Sequence, residues 1–248
     1  MEDMESNPFI VADAPAADRA AFFRRTYGLV AAAFGAFAVL LALFFVGFDQ
    51  RQGIAFLLFS GLFSMIDSLG GWSVLLVMVA FWGANSVAQS LAFNRASRGS
   101  QYAGLGLYVI LEALIFVPLI GFVIISTKGD AGSVLIPAGI VTGAIIAALT
   151  ALVFMTNLDF SFLKVAIVIG SFAALAIVIV AAIAGLSLGA WFSIAMIVLM
   201  ATVILYQTNE IKNTLETDQH VAAAFILFSS FVTLLFYVIR FFAGGRRD

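Results

Sequence analysis

Apolar runs of about 20 residues, the length needed to cross a bilayer, recur along the chain between short polar breaks. They are Gly28–Phe48, Trp72–Phe93, Tyr102–Ser126, Val134–Met155, Phe162–Ala184, Ala190–Tyr206 and Val221–Phe242. An eighth run, Gly53–Ile66, has only 14 residues. That length suits an interfacial or re-entrant helix better than a full crossing. The breaks are short, so neighbouring spans are expected to be antiparallel. The pattern predicts an all-α membrane protein, a bundle of seven transmembrane helices in one domain over residues 25–243. Residues 1–24 read as a disordered acidic tail containing Pro8 and Pro15, too polar at its start for a signal peptide. Residues 244–248 read as a short basic tail.

The last run is not uniformly apolar. On helical spacing, Ser229, Ser230, Thr233, Tyr237 and Arg240 fall within an arc of about 100°, which Ala222 and Ala223 extend. A helix that meets only lipid has no use for such a stripe; one packed on other helices or lining a wet cavity has. A polar turn from Tyr206 through Gln207, Asn209, Glu210, Lys212, Glu216 and Asp218 to His220 leads into it. On the sixth span Thr202, Tyr206 and Asn209 lie within about 60° of one another. On the second, Asn85 and Gln89 stand at i, i+4. These positions form either a polar seam along a path or interhelical hydrogen bonds that hold the bundle together. Gly139 and Gly143 make a Gly-x-x-x-Gly pattern, expected at a close helix contact. Asp159 or Ser161 is a candidate cap for the fifth span. Trp72 and Trp191, near span starts, fit interfacial anchors.

Composition agrees. The chain is 63% hydrophobic and 10% charged, where a soluble domain carries about 25% charge. A net charge of −2 with scattered Lys and Arg offers no patch for nucleic acid. There is no cysteine and a single histidine, so disulfides, thiolate metal sites and histidine clusters are excluded. Orientation is less determined. With seven spans and the N-terminus inside, Arg19, Arg24, Arg25, Arg95, Arg98, Lys164 and Lys212 are cytoplasmic. Arg51, Lys128, Arg240, Arg246 and Arg247 are then outside, a bias of seven to five. Arg240 is expected to snorkel to the interface; an inward salt link is the other reading.

Glu112 is the strongest single chemical signal. It lies about ten residues into the third span, where an acid costs roughly 2.5–3.5 kcal/mol on insertion scales. Gln101, Tyr108 and Glu112 share a helix face. Glu112 is either a titratable group on a proton or cation path or a protonated acid bonded to a hydroxyl of a neighbouring helix. Pro118, six residues on, is placed to kink the span. Enzyme chemistry is not expected. No histidine lies in mid-span to activate a nucleophile, no His and carboxylate ligands stand at i, i+4, and Glu112 has no second deep acid beside it. No cofactor or resident metal is implied.

Several blocks resemble the Bax inhibitor-1, or transmembrane Bax inhibitor motif, family. They are Arg25-Thr26-Tyr27, the run Glu112-Ala113-Leu114-Ile115-Phe116-Val117-Pro118, Asp159-Phe160-Ser161-Phe162-Leu163, Leu205-Tyr206-Gln207-Thr208-Asn209-Glu210-Ile211, and Ala222 to Arg240. The resemblance implies seven helices with the last at the centre and six around it. It also implies a pH-sensitive calcium leak, gated by two membrane aspartates that share a proton. Here Gln207 and Ser230 stand at the aspartate positions, and Thr233 where Asn is usual. Neither replacement titrates near neutral pH or offers calcium a carboxylate.

The resulting expectation is a multi-pass protein of a cell membrane, in a bacterium the inner membrane. Its role would be passive movement of calcium or protons with altered or lost pH gating, in a stress response. Gln207, Ser230, Thr233 and Glu112 are the candidate path or gating positions. Asn85, Tyr108, Thr202, Tyr206, Asn209 and Tyr237 form a secondary seam. The alternative is a non-transporting partner of a membrane-anchored ATP-dependent protease complex.

Overall fold

A computed structural model describes residues 9–156 and 158–244. It contains eight α-helices: α1 (Ala16–Phe44), α2 (Gly53–Leu69), α3 (Trp72–Ala92), α4 (Arg98–Ser126), α5 (Gly132–Met155), α6 (Leu163–Ala184), α7 (Ala190–Thr214) and α8 (His220–Gly244). All but α2 are long and apolar enough to cross a membrane. In hydrocarbon every backbone polar group needs a partner, which a helix supplies within itself.

α8 is the centre. Two thirds of its most apolar window (67%) is buried, against 6% to 44% for the other six long helices. It packs on α1, α3, α4, α5 and α7. Aromatic side chains interlock across these contacts: Phe228 meets Phe34, Phe37 and Tyr108, and Phe236 meets Phe116. α6 packs mainly on α7 and α3, and turns Val165, Ile169 and Phe172 outward. It is an outer helix rather than one of a closed ring around α8.

Side-chain pairs fix the directions. Thr26 with His220 and Phe34 with Phe228 make α1 parallel to α8, and Tyr108 with Phe225 and Phe116 with Phe236 do the same for α4. Gln207 with Ser230 and Phe192 with Tyr237 make α7 antiparallel to it. The end holding the starts of α1, α4 and α8 is called proximal here, the opposite end distal. α2 leaves the distal end of α1 and leads into α3. Just before α3, Gly71 lies against the carbonyl of Ala182 at the distal end of α6. Both ends of α2 therefore stand at the distal end, and it does not cross. The turn into α2 needs a glycine: Gly53 has φ +87°, and a Cβ there would strike the Val46 carbonyl.

Several expectations change. The disordered tail was drawn to residue 24, but α1 begins at Ala16. Before it, Val11 is fully buried, and its N–H donates to the Leu215 carbonyl at 2.9 Å. Val11 supplies the buried side chain, and the Thr217 N–H donates to the Phe9 carbonyl at 2.9 Å. Residues 1–8 and 245–248, hence Arg246, Arg247 and nearly all of the basic tail, lie outside the described residues. The polar turn before the last span is also shorter. α7 continues to Thr214, so Gln207 and Asn209 are helical. Asp159 and Ser161 do not cap α6, whose start at Phe162 has no side-chain cap. Asp159 instead accepts from the Ser161 N–H at 2.9 Å and its hydroxyl at 2.7 Å. Gly139 and Gly143 face open space, not a helix.

The close contact is at Gly104. A Cβ there would lie 2.6 Å from the Ala88 carbonyl and as close to the Ala92 backbone. Backbone cannot yield as a side-chain tip can, so α3 and α4 touch only because this position is glycine. Gly104→Ala is expected to destabilise the bundle by about 1–3 kcal/mol, seen as a lower unfolding temperature in detergent. Gly139→Ala should leave it unchanged or raise it slightly, because it meets no atoms and favours helix.

Candidate functional site

Glu112 stands fourteen residues from each end of α4, and so about 21 Å from either. It is 5% exposed. Its carboxyl lies against the Tyr108 hydroxyl one turn earlier, as i, i+4 spacing allows. On its other side opens a cavity of about 820 Å³ between α3, α4, α6, α7 and α8. The walls are apolar, with Met78, Phe81, Leu175, Met200 and Phe236 among them. The polar groups are few: Glu112, Ser171, Ser187, Thr233, Tyr237 and Arg240. A mostly apolar cavity of this size with a few convergent polar groups has the make-up of a ligand or permeation site.

The polar groups are ordered along the axis. Thr233 is near the middle of α8, at the level of Glu112. Arg240 follows seven residues later, about 10 Å toward the distal end. Its guanidinium donates to the Leu188 carbonyl at 2.8 Å and lies over the Phe192 ring at 5.5 Å. Arg240 thus lines the distal part of the cavity, bonded to the α6–α7 turn. Among the described residues it makes no salt link.

Toward the proximal end the cavity stops. The next polar groups are already bonded to each other. Ser230 donates to the side-chain oxygen of Gln207, tying α8 to α7. Tyr108 and Ser229 hydroxyls share a 2.8 Å bond, tying α4 to α8. Thr233 bonds the Ser229 carbonyl at 2.7 Å within its own helix. The two positions where the family resemblance expects aspartates are therefore in direct contact, joined by a neutral hydrogen bond.

The structure brings Glu112, Thr233 and Tyr237 to one cavity, with Tyr108 beside Glu112 but outside the lining. Gln207 and Ser230 sit just beyond it. The rest of the seam disperses. Thr202 bonds the Val198 carbonyl of its own helix at 2.9 Å. Asn85, on α3, does not line the cavity, and its side-chain oxygen is buried without a partner. Tyr206 is drawn to Glu210 one turn on. Asn209 donates to Asp159 at 3.2 Å, fastening the α5–α6 loop to α7. The Ser161 hydroxyl first, then its N–H and Asn209, hold the Asp159 carboxyl below the usual carboxylate range. Ser171 and Ser187 were not anticipated. Only the separation of α6 from α4 makes a space for them to face.

A family model described as "Inhibitor of apoptosis-promoting Bax1" matches residues 19–248, nearly the whole chain. No curated protein and no solved structure matches significantly. The match spans all seven long helices, from the start of α1 through α8. The chain is therefore a multi-pass membrane protein that belongs to the Bax inhibitor family.

Proposed function

We propose that the chain is a passive cation leak, calcium being the favoured ion, in which Glu112 offers the permeating ion its one deep carboxylate. The observation that carries this is the position of Glu112, buried at bilayer mid-depth on the inner end of a large cavity. A lone intramembrane acid facing a cavity is costly to keep and marks an ion or proton path. Among the described residues no three acidic or histidine side chains converge. An ion at Glu112 would meet one charge, weak enough to let it leave again. The Gln207–Ser230 and Tyr108–Ser229 bonds make this the closed arrangement, blocked on the proximal side. The loop cations favour the proximal end as cytoplasmic; the site of action is taken to be a cell membrane, in a bacterium the inner one.

The neutral bond also supports a second reading. A chain that has lost the titratable pair is suited to act as a non-transporting partner of a membrane protease complex.

Reconstituted in liposomes with a calcium dye inside, the protein is expected to raise flux above empty liposomes. Glu112→Gln should lower it severalfold. Absence of flux at any pH would remove the leak reading, and recurrent cross-linked protease subunits recovered from membranes would then favour the partner reading.

The double substitution Gln207→Asp with Ser230→Asp should restore pH dependence. Two adjacent carboxylates hold one proton between them at low pH and repel when both ionise. Flux is therefore expected to rise with pH in the double variant and to vary much less in the parent. A flat profile in the variant would mean that these two positions do not form the gate.

A further inference from the structure

The proximal end carries a second concave site, separate from the Glu112 cavity. It is a pocket of about 590 Å³ between the starts of α1, α4 and α8, lined by Arg24, Arg25, Gly28, Arg98, Tyr102 and His220. Arg24 and Arg25 are exposed, and among the described residues neither has an acidic partner. Arg98 is only partly neutralised. Its guanidinium donates to the Asp218 carbonyl at 2.7 Å, and the Asp218 carboxylate is 3.8 Å away. His220 is 7% exposed, and its Nδ1 is buried with no hydrogen-bond partner. Arg25 and Arg98 both stand close enough to act on it electrostatically.

Three guanidinium groups and an imidazole thus converge, with one carboxylate among them. The N-termini of α4 and α8 point to the same place, adding partial positive charge. Among the described residues Asp218 is the one acidic partner of this group, and Arg24 and Arg25 have none. Guanidinium groups with free donors fit the oxygens of a phosphate, which they engage in bidentate fashion. The location narrows the source. Tyr102, 47% exposed, and the apolar flank of α1 put the pocket at the boundary between the spans and the polar loops. Interfacial tyrosines and basic pockets between helices occupy the headgroup level of a bilayer.

We propose that this pocket binds a phosphate-bearing anion at the proximal membrane surface, with Arg24, Arg25 and Arg98 on its oxygens and His220 at its floor. The anion is a phospholipid headgroup or free phosphate, which share this chemistry. The site is independent of the leak reading, since none of its residues lines the Glu112 cavity.

The test is native mass spectrometry of the full-length protein released from bilayers of equal phosphatidylglycerol and phosphatidylcholine. A parallel series measures the unfolding temperature with millimolar inorganic phosphate against chloride of equal ionic strength. The parent should retain phosphatidylglycerol in preference, and Arg24→Gln with Arg25→Gln should cut that preference roughly tenfold or more. Arg95→Gln, at the same end but paired with Glu216 outside the pocket, should keep it. A phosphate-specific rise in unfolding temperature, lost in the double variant, would identify free phosphate as the ligand. Retention of lipid without that rise would identify the headgroup. The single substitutions carry the same test if the double variant does not fold. Absence of both effects in the parent, or an anionic preference that survives the arginine substitutions, would overturn the proposal.

Discussion

The structure depends on enclosing one helix completely. In a bilayer a helix satisfies its own backbone, but its polar side chains need partners or a wet cavity. α8 carries more of them than lipid tolerates, and the fold answers three of them from neighbouring elements. Ser229 meets Tyr108 of α4, Ser230 meets Gln207 of α7, and Arg240 reaches the Leu188 carbonyl before α7. Between these bonds, Phe225, Phe228 and Phe231 fill the gaps against α1 and α4. Each polar match fixes the axial register of one neighbour, and the aromatic contacts fix its distance. The arrangement of α1, α4 and α7 around α8 follows from that set.

The same requirement shapes the chemistry. Gln207 and Ser230 stand at the positions where the family pattern expects two acids, and they keep the geometry of such a pair without its charge. A shared-proton carboxylate pair changes state over an accessible pH range because ionising the second group brings like charges together. A serine donating to an amide oxygen has no second state to enter. Its bond is therefore neither made nor broken by titration. Titratable chemistry in the membrane core then falls to Glu112, in another helix and on the other side of the Tyr108–Ser229 bond. The inner cavity and the α7–α8 seam are thus chemically uncoupled, except through the tyrosine that touches both Glu112 and Ser229.

Much of this was legible in the sequence. Apolar run length gave seven crossings and set α2 apart; the hydroxyl stripe marked the last run as a helix that does not meet lipid alone, and the family resemblance put it at the centre. Glu112 stood out because an acid is rare among apolar residues. What escaped has a physical reason in each case. Polar composition suggested a turn at Gln207 and Asn209, yet α7 continues through them because they face α8 and the Asp159 loop rather than lipid. One buried side chain, Val11, and backbone bonds to Leu215 and Thr217 sufficed to dock a segment whose average composition reads as disordered. Gly139 and Gly143 have the spacing of a helix contact, but spacing does not say which face a neighbour occupies. Gly104, with no such motif, makes the contact. The cavity was out of reach, because it arises from where α6 stands relative to α4.

Restraints are unevenly distributed along the axis. The proximal end is tied by the Val11–Leu215 bond, by Asn209 to Asp159, and by both ion pairs found among the described residues, Arg95–Glu216 and Arg98–Asp218. At the distal end Arg240 to Leu188 is the corresponding tie beside an 820 Å³ cavity. Elements with few buried contacts next to open volume are those that move at least cost, which singles out α6 and the first turns of α7. A tilt of α7 would pivot where it is fastened, near Thr214. Gln207 lies seven residues from that point, about 10 Å along the helix, while Ala190 lies about 36 Å from it. Such a tilt widens the distal cavity far more than it parts Gln207 from Ser230. On the proposed leak reading, parting Gln207 from Ser230 would therefore call for rotation of the Gln207 side chain itself rather than a tilt of its helix.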